Sequence, residues 1–429
     1  MQSTRKELER VQNRKLRYTL ARAFRRVKMY REKFRNADFA PVAFRDLRDL
    51  AKIPFTTKAD LRSYSFVDRL AVPEERLVRY FSSSGSTGKP VVFGFTKRDM
   101  RVGSVCCSKT FSCATFTKED RVLEIVPGGL QSAAVAQAGL ERIGAKIIHT
   151  LPGRTADLQI PILLGRFDES MKPTAMIALA NYMVRIAEVA RQRGVDPRDF
   201  RLRKMFTGGE VWSESKRRML QGIYGAPLFD AYGLTEVVGG PGVGAECTEH
   251  AGLHVWEDHF VVEVVDPQSG ETLGPGKRGE VVLTTLESHA HPMIRYRTGD
   301  ITDWLSYDRC SCGRLEARIG RIVGRADDRV KVRGVQIYPR EVEEVLLGIP
   351  GAGPEYKVVV RERDGVDVML ITVESNERHS TDPRSLAGTI SQKFKGVFNV
   401  TPTVEVLQSG TMEVLEGAKT RRFLDERNR

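Results

Sequence analysis

The run Phe81-Ser-Ser-Ser-Gly-Ser-Thr-Gly-Lys-Pro90 puts six small residues, Ser82 to Thr87, and one cation into a single loop. Small residues leave successive backbone N–H groups unshielded, the hydroxyls add donors, and Lys89 adds charge, so the stretch suits a polyphosphate. It is not a Walker loop. That motif places four residues between its glycines and opens a helix. Here Gly85 and Gly88 enclose only Ser86 and Thr87, and Pro90 leads into VVFGFT, a β-branched and aromatic run that reads as strand. Taken alone, the loop fits a phosphate nest and a surface turn equally.

Three further segments carry groups of the right kind for a nucleotide. Thr207-Gly-Gly-Glu210 follows a strand-like run, and Gly208 and Gly209 permit close backbone approach to a flat base. Asp230-Ala-Tyr-Gly-Leu-Thr-Glu236 offers an aromatic ring, a hydroxyl and two carboxylates around Gly233. Arg295-Tyr-Arg-Thr-Gly-Asp300 ends in an acceptor-only carboxylate that could take two sugar hydroxyls. Each is also an ordinary strand end or turn when read by itself. A different chemistry belongs to Cys247, His254, Cys310 and Cys312: three thiolates and one imidazole meet the zinc preference for a closed tetrahedral site. Such a site has no open position, so it would be structural. His250 competes with His254 as the imidazole, and chance spacing is the alternative. Cys106, Cys107 and Cys113 lie together in a helical pattern without ligand partners and read as reduced core thiols.

The phosphate-type loop, DAYGLTE, YRTGD and Gly324-Arg-Ala-Asp-Asp-Arg-Val-Lys-Val-Arg-Gly334, in this order, resemble the signature of the AMP-forming adenylating superfamily, the acyl-CoA synthetase and luciferase group. The runs PFTTKADLR and ECTEHAGLHVWEDHF are similar to its phenylacetate–CoA ligase branch. The resemblance extends from about residue 15 to the end of the chain. It implies ATP and AMP, Mg²⁺ and coenzyme A as cofactors, and a structural zinc of the kind that relatives in this branch can carry. It implies that Ser83, Ser84, Gly85, Ser86, Thr87, Gly88 and Lys89 hold the β- and γ-phosphates. Gly208, Gly209 and Glu210 would flank adenine, as would Asp230, Ala231, Tyr232 and Gly233, with Tyr232 against the base. Thr235 would bond the α-phosphate, Glu236 would hold Mg²⁺, and Asp300 would take the ribose hydroxyls. Arg321 and Arg325 would contact ribose or phosphate, with Arg325 the better motif match. Gly334 would line the pantetheine tunnel and Asp327 would be the hinge. Lys419 in EGAKTRRFLD would serve adenylation, although Ala418 stands where the family usually has Gly.

The expected activity is therefore an ATP-dependent acid–CoA ligation through an acyl-adenylate. The acid-pocket candidates GGLQSAAVAQAG, Ala178 to Asn181 and Gly208-Gly209 are small or apolar, which suits an aryl or arylacetic acid such as phenylacetate. One alternative passes the acyl group to a carrier-protein thiol or an amine. Another is a non-catalytic nucleotide-binding homologue, for which only Ala418 speaks.

The elements that must position these groups show three characters. Between about 120 and 235, apolar strand runs alternate with amphipathic helices, which implies βαβ units and a mostly parallel sheet. Residues 254–306 read as antiparallel hairpins, and beyond 325 a small α+β unit follows. The expectation is an α/β protein: an N-terminal adenylate-forming domain of mixed βαβ sheets with an antiparallel β unit, 1–325, and a mobile C-terminal lid domain, 326–429. A chain of 429 residues exceeds one ordinary core. Residues 1–35 carry thirteen Lys/Arg against three Glu on a helical pattern with Leu16, Leu20, Phe24 and Val27 on one face. This reads as a basic helix docked on the body, with a docking face for an acidic acyl carrier protein as the alternative. No aromatic-basic motif supports nucleic acid. No run of 18 apolar residues and no apolar leader occurs, so a cytoplasmic protein without a membrane span is expected. A homodimer is expected by analogy with relatives.

Overall fold

The structure, a computed structural model, describes residues 4–83, 90–125, 133–149, 156–363, 366–376, 382–412 and 422–427. Ser84 to Lys89, Gly128 to Ser132 and Lys419 lie outside the described residues. The chain opens with helices α1 (Arg5–Arg26), α2 (Lys28–Asn36) and α3 (Lys58–Ser63). Thr4 and Glu7 form a capping box at the start of α1, each side chain accepting from the other's backbone N–H. Leu16, Leu20 and Val27 are buried while Phe24 packs against the same core from its edge. The helix is fixed by side-chain bonds as well: Gln12 Nε2 donates to the Phe260 carbonyl at 3.0 Å and Thr19 to that of Leu286 at 3.1 Å. The basic helix is thus docked on the body.

Strands β1 (Leu77–Ser82) and β2 (Val92–Thr96) pair antiparallel, so the small-residue loop does run from strand to strand. Its base is closed by Ser83, whose N–H reaches the Val91 carbonyl at 2.9 Å while its hydroxyl accepts from Val91 N–H at 3.0 Å. Helix α4 (Lys97–Cys113) follows, then β3 (Arg121–Ile125), α5 (Ala133–Arg142), β4 (Lys146–His149), α6 (Ala156–Leu163), β5 (Ala175–Ala178), α7 (Ala180–Gln192), β6 (Lys204–Gly208), α8 (Glu214–Tyr224) and β7 (Leu228–Tyr232). Strands β4-β3-β5-β6-β7 lie parallel in that spatial order. Their apolar runs are sandwiched by α4 and α5 on one face and α6, α7 and α8 on the other.

The sheet does not stop there. Strands β8 (Gly244–Ala245), β9 (Leu253–Val255), β10 (Phe260–Val265), β11 (Arg278–Thr285), β12 (Tyr296–Ser306), β13 (Arg318–Ile319) and β14 (Gly324–Arg325) extend it antiparallel, in the spatial order β7-β8-β9-β13-β12-β11-β10, with β14 beside β12. The parallel and antiparallel characters read from the sequence are therefore two ends of one sheet. The short pairs β8 and β9 make the join, and patterns two and three residues long leave no periodicity to read.

The remainder forms its own core. It comprises β15 (Val330–Val332), β16 (Val335–Ile337), α9 (Pro339–Leu347), β17 (Ala352–Arg363), β18 (Val366–Ser375), α10 (Pro383–Phe398), β19 (Thr403–Leu407) and β20 (Phe423–Asp425). Its sheet runs β19-β18-β17-β20. No described helix is long and apolar enough to cross a membrane.

Candidate active site and cysteine–histidine cluster

The parallel strands deliver their C-terminal ends to one edge, the usual place for ligands in such sheets. At that edge lie Ala178, the Gly208-Gly209-Glu210 turn and the Tyr232-Gly233 turn. Gly208 abuts Ala231, and a Cβ on it would meet the Ala231 carbonyl oxygen at 2.9 Å. Gly233 is tighter: a Cβ there would lie 2.0 Å from the Gly240 oxygen. The turn after β7 therefore folds back on Gly240 and Pro241, and it sets Thr235 and Glu236 just beyond the strand.

Tyr232 and Asp300 meet. The phenol donates to Asp300 Oδ2 at 2.7 Å, and burial, then the carboxylate, push the phenol well above its ordinary range, so it stays a donor. Arg325 pairs with Asp300 across β12 and β14, its Nη1 lying 3.4 Å from Oδ1. Gly299 makes room, because a Cβ there would meet Arg325 Nη2 at 2.8 Å. Glu236 is nearby: Tyr296 Oη donates to its Oε1 at 3.4 Å, and Tyr296 is itself buried. Tyr232, Glu236, Asp300 and Arg325 are thus brought together, an aromatic ring and two carboxylates beside one guanidinium.

Asp230 and Arg321 serve each other. Arg321 Nε donates to Asp230 Oδ2 at 2.9 Å, Nη2 donates to the Trp212 carbonyl at 2.9 Å, Nη1 reaches Glu214 at 3.2 Å, and the guanidinium lies 3.7 Å above the Trp212 ring. Its donors are committed to holding β7 and α8, whereas Arg325 lies beside Asp300. Glu210 is likewise engaged, accepting from Asn181 N–H at 3.2 Å and Asn181 Nδ2 at 3.1 Å, and burial raises its carboxyl above the usual range. Gly334 sits in the β15–β16 turn at φ +87°, with open space where a Cβ would stand.

The sequence reading missed Lys216. Its ammonium donates to Asn181 Oδ1 at 2.6 Å and ion-pairs with Glu343 of α9, with the lysine 1% exposed. The signal was present: Lys216 shares with Leu220 and Tyr224 the buried stripe of α8, where a charge needs a partner.

The four zinc-type residues converge. Pairing of β13 with both β9 and β12 brings His254 to the loop that carries Cys310 and Cys312, and Cys247 follows β8. Their ligand atoms all lie within 4.8 Å of one another. Cys247 and Cys310 sulfurs are 3.9 Å apart, and Cys312 Sγ lies 3.5 Å from His254 Nε2. Zinc–sulfur bonds of about 2.3 Å give a tetrahedral edge of roughly 3.8 Å, so the donor set fits the ion. His250 is elsewhere, stacked on Phe229 with Nδ1 3.5 Å from Glu246.

Residues 35–286 match the family model of the AMP-binding enzyme, and residues 334–427 that of the AMP-binding enzyme C-terminal domain, so the class is that of adenylate-forming enzymes. The phenylacetate–coenzyme A ligase of Thermus thermophilus is 37% identical over 441 residues, covering 99% of this chain and 97% of that one. The chain belongs to the phenylacetate–CoA ligase family, AMP-forming enzymes that use ATP and CoA to convert a carboxylic acid to its thioester through an acyl-adenylate. Among solved structures, 2-hydroxyisobutyryl-CoA ligase in the postadenylation state with 2-HIB-AMP superposes with a TM-score of 0.89 at 28% identity, over 97% of this chain and 89% of that one. The same ligase in the thioesterification state with 2-HIB-AMP and CoA gives 0.70, over 99% and 91%.

Proposed function

We propose that this ligase activates an aryl or arylacetic acid of the phenylacetate type. The observation that carries the reading is the near-full-length likeness to phenylacetate–CoA ligase. The small residues Ala178, Gly208 and Gly209 at the sheet edge agree with a flat apolar acid. The acid's carboxylate oxygen attacks the α-phosphorus of ATP, forming the acyl–phosphate bond and releasing pyrophosphate. The thiolate of CoA then attacks the acyl carbon, forming the thioester and releasing AMP.

The residue roles are those the family resemblance implies, and the contacts among Tyr232, Asp300 and Arg325 support them. Asp300 takes the ribose hydroxyls, with Tyr232 and Arg325 fixing its two oxygens, and the Tyr232 ring lies along the base. Thr235 binds the α-phosphate and Glu236 holds Mg²⁺, whose charge would offset that of the phosphates. The loop from Ser83 to Lys89 wraps the leaving pyrophosphate. Lys419 stabilises the adenylation transition state, with Ala418 accepted before it. Cys247, His254, Cys310 and Cys312 hold a structural zinc.

The body, 1–325, and the lid, 326–429, pivot at Asp327, whose carboxylate accepts from Arg325 Nε at 2.9 Å. We take the lid to stand on the adenylation side of the cycle, a reading supported by TM-scores of 0.89 against the postadenylation state and 0.70 against the thioesterification state of one neighbour. ATP and CoA as cosubstrates agree with a cytoplasmic enzyme.

The test is acid-dependent ATP–pyrophosphate exchange with phenylacetate, benzoate, hydroxyphenylacetates, 2-hydroxyisobutyrate and amino acids, followed by mass analysis of products with CoA, a carrier-protein thiol or an amine. Phenylacetate or a close aryl acid with CoA is the expected pair. Preference for 2-hydroxyisobutyrate or an amino acid rejects the aryl reading.

A further inference from the structure

We propose that Lys216 is a positioning residue for adenylation: its buried ammonium joins the wall of the acid and adenine site, Asn181 and Glu210, to Glu343 of the lid, and so holds the lid in the arrangement described. The inference rests on the reading of that arrangement as the adenylating one.

The contacts form a continuous chain. Glu210 accepts from Asn181, Asn181 Oδ1 accepts from Lys216 Nζ, and Lys216 pairs with Glu343. The Glu343 carboxylate also accepts from Ser213 N–H at 2.6 Å and from Tyr356 Oη at 3.3 Å. The side chains of Lys216 and Glu343 are 1% and 5% exposed. Burial alone would raise the Glu343 carboxyl, but Lys216 and the Ser213 N–H keep it below its usual value. Around this centre lies a weaker rim: Glu344 accepts from Ser215 N–H at 3.0 Å and meets Arg218 at 3.3 Å, and Arg278 reaches Glu341 at 2.7 Å.

A buried ion pair adds little net stability over an apolar pair, yet losing one partner strands the other charge. Such a pair is best suited to specifying one arrangement over others. When the lid turns away, Glu343 leaves with it, and Lys216 retains Asn181 and stays near Glu210, whose carboxyl it already lowers against the effect of burial. Lid position and the shape of the site wall are thereby linked through one ammonium.

The experiment uses Glu343→Gln in the full chain and measures the two half-reactions separately. Phenylacetate-dependent ATP–pyrophosphate exchange should fall by roughly a hundredfold, the scale of a broken buried pair. Thioester formation from supplied phenylacetyl-AMP and CoA should stay within about threefold of the parent. Parallel loss of both half-reactions, or loss of neither, overturns the proposal. Loss of thioester formation alone also overturns it and shows that the latched arrangement is not the adenylating one. Absence of exchange in the parent enzyme instead rejects the proposed acid. Arg218→Ala, at the exposed rim, should lower the ratio of exchange to thioester formation a few-fold in the same direction, and an unchanged ratio in that variant overturns the proposal should Glu343→Gln fail to fold.

Discussion

The phenol of Tyr232 donates a 2.7 Å hydrogen bond to Oδ2 of Asp300, tying the end of the last parallel strand to an antiparallel strand further along the same sheet. The bond orients a carboxylate whose other oxygen lies 3.4 Å from Arg325 Nη1. An ionised acceptor of this kind suits a vicinal diol. Asp300→Asn replaces one acceptor oxygen by a donor and should lower exchange at limiting ATP by about 10- to 100-fold, since hydrogen bonds to charged groups contribute about 1.5–3 kcal/mol. Tyr232→Phe removes only the orienting bond and should cost less, roughly threefold to tenfold on the same principle. A larger loss in Tyr232→Phe than in Asp300→Asn would reject Asp300 as the ribose acceptor.

Gly233 sets where Thr235 and Glu236 begin. A Cβ there would meet the Gly240 oxygen at 2.0 Å and Pro241 Cα at 2.7 Å, and backbone cannot yield as a side chain does. Gly233→Ala should therefore displace the turn and reduce exchange at least tenfold, by the overpacking cost of about 1–3 kcal/mol. Gly222→Ala is the matched control. It lies within α8 with nothing within 4 Å of a Cβ, and it should leave exchange unchanged while raising stability by up to about 1 kcal/mol through helix propensity. Equal exchange in the two variants would contradict the close approach.

The order of motifs made the class legible before any coordinates, because a loop of small residues, DAYGLTE and YRTGD each carry a chemical demand. The parallel strands were legible too, since RVLEI, AMIA, KMFTG and LFDAY are apolar runs between amphipathic helices. What was not legible was contact between distant segments. Nothing in the spacing of Asp230 and Arg321, 91 residues apart, says that they neutralise each other under Trp212. Lys216 and Glu343 each look like a surface charge on a helix until helical period is set against the buried stripe. The choice of His254 over His250 likewise follows from the register of β9 against β13, which no local pattern encodes.

The cysteine–histidine cluster joins the middle of the sheet to the loop after β12, so its loss should act on stability and not on chemistry. Purified protein should contain about one zinc per chain by emission spectrometry, given its closed four-ligand geometry. Less than a tenth of an equivalent would sink the site. Cys310→Ser should lower the melting temperature and the zinc content while leaving exchange at low temperature within about twofold, because the cluster holds no open position for a reactant. A large fall in exchange with intact stability would assign the cluster to catalysis instead.

The lid contact should weaken as pH rises, and Glu188 is the reason. This residue of α7 faces Glu355 and Glu374 of the lid, with Arg185 Nη1 3.7 Å away on its own helix. Burial, then Glu355, push its carboxyl up to about 7. Glu355 accepts two 2.8 Å bonds from Arg422, and Glu374 accepts from the N–H groups of Gly410 and Met412, which among the described residues leaves Glu188 as the acid at this contact without such donors from the lid. Freed from the lid, its carboxyl returns towards 4.5. The docked state therefore binds more protons than the undocked one between these values. Docking is most favourable below about 4.5, weakens as pH rises towards 7, and is level above it. The ratio of exchange to thioester formation should fall across this window in the parent and stay flatter in Glu188→Gln, which keeps the shape and cannot ionise. Comparing the two profiles cancels the other titrating groups, including the thiol of CoA. Profiles that run parallel from pH 5 to 8 would reject Glu188 as the linked group.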